Sequence, residues 1–154
     1  MKRLSLFIYF FLITVLQAAA QQSFDKTAVK SVMKRVADWQ IANPNKGAEH
    51  DDLDWTHAAL YMGMLDWAEL TEKEDSDDSY YQWLLRIGQR NHFQIGKWMY
   101  HADFIAVGQP FIDLYLKYGN KKMIAPVMAR ANWVVENPAE TFLELDFGKL
   151  ETLV

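Results

Sequence analysis

Beyond residue 20 the apolar positions recur with a period near 3.6 and are separated by short polar turns, which predicts an all-α chain. From Ser23, a good N-cap, Val29, Val32, Met33, Val36 and Ile41 form one face of a first helix, ended by Asn43-Pro44-Asn45-Lys46-Gly47. A second helix starts near Asp54 and is apolar on more than one side (Ala58, Leu60, Tyr61, Met64, Leu65, Trp67), so it is expected to be buried between neighbours. The acidic stretch from Thr71 to Ser79 reads as a solvated turn whose carboxylates complement the dipole of a third helix, Tyr80 to Asn91. It lacks the Gly-centred spacing of a calcium loop. A fourth helix, Asp103 to Tyr118, is again almost wholly apolar, with a kink expected at Pro110 and a stop at Gly119-Asn120. A fifth runs from Met123 to Val135 and ends before Pro138.

Two apolar helices, one through Ala59 to Gly63 and one through Ile105 to Gly108, lie about 45 residues apart, and each precedes a more amphipathic partner. Helix pairs repeated at that period imply a solenoid or a closed toroid with buried inner helices. The first twenty residues stand apart. Lys2 and Arg3, the apolar run Leu4 to Leu16 and the small residues Ala18-Ala19-Ala20 form a secretory signal with cleavage before Gln21. The run is short for a bilayer span, which takes ~20 residues, so no stable membrane insertion is expected once it is removed. The expected location is periplasmic or secreted, and the domain is residues 21–154.

Composition sharpens this picture. Of 154 residues, 51% are hydrophobic and 23% charged, which fits a packed domain and excludes a disordered tail. Lys2 and Arg3 are the only charges in the signal, so the remaining 134 residues hold 14 basic and 20 acidic side chains. That acidic balance, with no basic cluster larger than a pair, argues against nucleic-acid binding. The absence of cysteine rules out disulfides and thiolate metal sites.

The polar residues at the starts of the buried helices carry the candidate chemistry. His50-Asp51-Asp52-Leu53-Asp54-Trp55-Thr56-His57 opens the second helix, and Tyr100-His101-Ala102-Asp103 opens the fourth. In a toroid both starts face the same side. Tryptophan faces stack on pyranose rings, while carboxylates and imidazoles bind hydroxyls or move protons. Ordinary roles stay open: Asp54 as a helix cap, Trp55 as core, His101 and Asp103 as a cap and its neighbour. A metal site from His50, Asp51, Asp52 and His57 is conceivable, but no second cluster completes its shell. No serine sits in a nucleophile turn, and no Gly-rich phosphate loop is present.

Asp54-Trp55-Thr56-His57-Ala58-Ala59-Leu60-Tyr61 resembles the Asp-Trp-Thr-Asn-Gly-Ala-Leu-Tyr segment of the unsaturated rhamnogalacturonyl hydrolases, glycoside hydrolase families 88 and 105. Tyr100-His101-Ala102-Asp103-Phe104-Ile105-Ala106-Val107-Gly108-Gln109 resembles their Tyr-His-Ala-Asp-Asp-x-x-Val-Gly-Gln, and the similarity covers roughly Phe24 to Pro138. The resemblance implies an (α/α)6 barrel, no metal or organic cofactor, and an oligosaccharide substrate ending in a 4,5-unsaturated uronic acid. In that family an aspartic acid protonates C4, water adds at C5, and the hemiketal opens, so the carboxylate spacing of ordinary glycosidases does not apply. Carried over by position, Trp55 stacks on the unsaturated ring, His101 hydrogen-bonds it, His57 contacts substrate, and Asp103 assists at the double bond. His57-Ala58 replaces Asn-Gly and Phe104 replaces a second aspartate, both changes being expected to alter substrate contacts. The family's principal general acid follows a Leu-Asp-Phe segment, here Leu145-Asp146-Phe147, and the sequence stops at Val154 before it. Six helix pairs take roughly 270 residues at this period. The expectation is therefore an incomplete portion of the barrel, exposing Phe111, Leu114 and Trp133 and prone to self-association through unpaired helices. Two alternatives accompany it: a non-catalytic helical-repeat protein that binds sugar or another partner, and a truncated gene product.

Overall fold

The computed structural model describes residues 25–44 and 51–138, which are built of helices and turns without a strand. The signal segment, Ser23, His50 and Leu145 to Phe147 lie outside the described residues. The chain divides into two compact units between Asp38 and Trp39. That boundary falls within helix α1, Lys26–Ala42. In the first unit the Asp25 carboxylate caps the helix by accepting the Thr27 N–H at 3.0 Å, and Lys34 pairs with Asp38 one turn on at 2.7 Å.

The second unit is organised around α2, Trp55–Asp75. It buries Ala58, Tyr61, Met64, Leu65, Trp67, Ala68 and Thr71, as expected of a helix apolar on several sides. It also runs through much of the acidic stretch read as a turn. The helix ends at Ser76, whose left-handed φ of 57° lets its N–H reach the Glu72 carbonyl, while the Asp77 N–H reaches that of Thr71. The buried Thr71 hydroxyl lies 3.2 Å from the carbonyls of Ala68 and Asp77 and so fastens this turn. Side-chain charge in the last turn therefore does not stop α2, because packing of the opposite face outweighs a few tenths of a kcal/mol per exposed like-charge pair.

Helix α3, Ser79–Arg90, returns antiparallel to α2. Trp67 meets Tyr80 at 5.7 Å near one end, and Tyr61 meets Trp83 at 5.9 Å towards the other, both edge to face. The fourth predicted helix is two: α4, Ala102–Ala106, and α5, Gly108–Tyr118, separated at Val107. The break lies upstream of the expected kink because the Pro110 ring opposes the carbonyl four residues earlier, at Ala106, and offers it no N–H. Pro110 itself sits in the first turn of α5, where the missing donor has no intrahelical partner to lose. Helix α5 closes at Gly119, φ 70°, as the sequence predicts.

Phe111 and Leu114 are each 1% exposed, which corrects the expectation that they lie open to solvent. Phe111 stacks edge to face on Phe93 at 5.4 Å, and α5 packs against α2. At its far end Lys117 pairs with Glu72 and lies 4.1 Å from the Tyr81 ring. After a 3₁₀ turn at Lys121–Met123, helix α6 spans Ala125–Glu136 and contains no fully buried residue. No helix among the described residues is long and apolar enough to cross a membrane.

Candidate functional site

Asp54 holds the start of α2. Its extended backbone leaves the helix while its Oδ1 accepts both the Thr56 N–H and the Thr56 hydroxyl at 3.0 Å, so its capping role is real. Trp55, the next residue, is 50% exposed, which removes the reading of it as core. His57 follows two residues later, about 200° around the helix axis from Trp55. It turns towards α3 and lines a small pocket of mixed character with Asp52, Leu60, Tyr61, Trp83 and Arg90. Its Nδ1 is buried there without a hydrogen-bond partner, and its ring lies 5.9 Å from that of Tyr61.

Helix α3 brings the chain back to this same end. Arg90 donates to both carboxylate oxygens of Asp52 at 2.6 Å, and the Asn91 amide donates to Asp52 at 2.8 Å. From there a loop leads to α4, which packs against α2. The two helix starts named by the sequence therefore open at one end of the second unit. His101 occupies the N-cap position of α4, with its Nδ1 3.8 Å from Asp103 Oδ2. Its ring meets Trp98 at 5.2 Å and Phe104 at 5.3 Å, both edge to face. The Asp103 side chain is 53% exposed and the His101 side chain 19%, so the carboxylate is open while the imidazole is held between aromatic walls.

The loop carrying this arrangement is tightly built. His92 and Phe93 both adopt left-handed backbone, φ 52° and 55°, an arrangement that costs about 1 to 3 kcal/mol per residue and persists only where packing imposes it. Phe93 is buried beside Gly88, where a Cβ would fall 2.3 Å from its ring. Gly96 donates its N–H to the Phe104 carbonyl at 2.7 Å, and a Cβ there would fall 2.2 Å from the Phe104 ring. Arg130 of α6 donates to the carbonyls of Trp98 and Gly96 at 2.6 and 2.8 Å.

Burial, with the Asp52 carboxylate beside it, holds the Tyr61 phenol well above the ordinary tyrosine range. The neutral phenol therefore stabilises the fold fully below about pH 10. Above that the unfolded chain ionises first and stability falls as pH rises towards the folded value. Tyr61→Phe is expected to lose about 1 kcal/mol at neutral pH through the missing hydrogen bond to Asp52, yet to decline less steeply above pH 10. Urea unfolding midpoints of the two proteins between pH 7 and 11 check this, the gap closing as pH rises.

Of the four residues singled out by sequence, Trp55, His101 and Asp103 stand at the helix starts with the exposures described, while His57 sits on the α3 side of α2. Among the described residues no group of three or more His, Asp or Glu side chains is placed to hold a metal ion; of the four residues weighed for one, Asp52 is instead engaged by Arg90 and Asn91. Sequence reasoning missed Asp52 as an anchor, Trp98 as a wall of the His101 pocket, and Arg130. Their partners lie 3 to 39 residues away, and no local pattern announces contacts of the longer kind. A family model described as Glycosyl Hydrolase Family 88 matches residues 15–144. Neither the curated proteins nor the solved structures give a match.

Proposed function

The chain belongs to glycosyl hydrolase family 88, and from that membership we propose that it acts on oligosaccharides ending in a 4,5-unsaturated uronic acid, of the rhamnogalacturonyl or glucuronyl type. Trp55 stacks on the unsaturated ring, His101 hydrogen-bonds a ring hydroxyl, and His57 supplies a contact from the pocket between α2 and α3. Asp103 assists and orients at the double bond. A proton adds to C4, the oxygen of water bonds to C5 and loses its proton to a base, and the resulting hemiketal opens, releasing the neighbouring sugar as an alcohol. The principal proton donor lies outside residues 25–138. The protein works after export, directed by its first twenty residues.

The observation that carries this reading is the half-exposed Trp55 at the start of α2. An indole left open beside a carboxylate-capped helix start serves a sugar face better than it serves the core. Trp55→Ala is expected to weaken binding of an unsaturated uronyl disaccharide about tenfold, or ~1.4 kcal/mol, in a calorimetric titration. The melting temperature should stay put, because the side chain contributes little to the core.

The reaction itself is tested by incubating the purified protein with that disaccharide and following the ultraviolet absorbance of the double bond. Loss of absorbance supports hydration. Constant absorbance, together with binding that Trp55→Ala abolishes, supports instead a non-catalytic sugar-binding protein.

A further inference from the structure

Helix α6 has no fully buried residue, yet it is fastened to the loop before α4 at three points. Arg130 donates to the carbonyls of Gly96 and Trp98, the Trp133 ring lies 5.4 Å from that of Tyr100, and the Tyr100 hydroxyl donates to the Asn137 carbonyl. The Arg130 contacts are the unusual ones. Among the described residues its guanidinium meets carbonyl oxygens alone, the third being Met99 at 3.5 Å, and no carboxylate. Burial pushes its pKa down, the sign of a cation partly withdrawn from water and compensated by backbone dipoles.

Such an arrangement fixes backbone geometry. The planar fork spans two carbonyls two residues apart, which a lysine ammonium on a flexible stem does not reproduce. One of the two residues held is Trp98, whose ring packs on Phe104 at 4.6 Å and on His101 at 5.2 Å. Gly96, the other residue held, is itself pinned to Phe104 of α4. A shift of this turn therefore moves the aromatic wall that sets the His101 ring.

We propose that Arg130 is a positioning residue for the sugar site, acting on His101 through the carbonyls of Gly96 and Trp98 and the indole of Trp98. Its consequence for binding rests on the unsaturated-uronide reading, whereas its effect on His101 does not. Two readouts separate them. In folded Arg130→Ala, the His101 imidazole proton resonances, assigned with His101→Gln, move towards random-coil positions as the Trp98 ring current is lost. Affinity for the unsaturated disaccharide falls about tenfold. Added methylguanidinium restores both, and Arg130→Lys recovers them only in part. A purely structural staple would lower the melting temperature and leave both readouts unchanged in the folded fraction. Unchanged His101 resonances overturn the proposal, also when read in Arg130→Lys should Arg130→Ala fail to fold. If His101 shifts but the native protein does not bind the disaccharide, it is the unsaturated-uronide reading that has failed.

Discussion

On the proposed reaction, Asp103→Asn is expected to lower turnover of an unsaturated uronyl disaccharide by about 10²- to 10⁴-fold, the range for losing a positioned acid–base group, and to leave the fold as it was. The amide keeps the size and hydrogen-bonding reach of the carboxylate but removes its charge and its capacity to exchange a proton. Structural cost is small, because the side chain is more than half exposed and the His101 contact at 3.8 Å is too long for a hydrogen bond. Initial rates from the double-bond absorbance, measured on the purified protein and paired with circular dichroism, decide the matter. Equal rates in variant and parent would remove Asp103 from the mechanism.

A comparably large effect, on stability rather than rate, is expected at Asp52. Its side chain is 13% exposed and binds the Arg90 guanidinium, the Asn91 amide and the Tyr61 hydroxyl together. Asp52→Ala strands Tyr61, 2% exposed, without that acceptor and releases the C-terminus of α3. Arg90 is half exposed and regains water, so the loss stays below that of a fully buried ion pair. About 2 to 3 kcal/mol is expected, lowering the melting temperature by roughly 5 to 10 °C at this chain length. Asp51→Ala is the control: Asp51 is exposed and its carboxylate accepts the Leu53 N–H at 2.8 Å, while its backbone carbonyl, which takes the Asp54 N–H, is kept in the variant, so it should cost well under half as much. Matching losses at the two positions would contradict the anchoring role of Asp52.

The course of the main chain was largely legible because it depends on local chemistry. Asp54 as a cap, Gly119 as a left-handed stop and the all-round apolar character of α2 all act within a turn of their own position. Where expectation failed, a tertiary effect outweighed a local one. The acidic residues after Thr71 suggested a turn, yet the buried face of α2 carries the helix through to Asp75. Pro110 suggested a kink at its own position, but the backbone breaks at Val107, just after the Ala106 carbonyl to which the proline denies a donor. Phe111 and Leu114 were expected to be open for want of neighbours, whereas Phe93, held by its left-handed backbone, closes over Phe111.

The candidate site was legible as residue types at two helix starts, less so as an arrangement. The 100° step per residue already separates Trp55 from His57 around the axis. Nothing local indicates that the imidazole faces α3 or that Trp98 and Phe104 enclose His101. Arg130 looked like any cation on a mixed helix face. Only the fold shows its fork on the carbonyls of Gly96 and Trp98.

The central claim is that the starts of α2 and α4 serve one sugar ring, and a nuclear magnetic resonance titration of the protein with the unsaturated disaccharide tests it most directly. The indole of Trp55 and the imidazole of His101 should shift together and saturate with a single dissociation constant. Shifts at only one of the two, or two different constants, would contradict it.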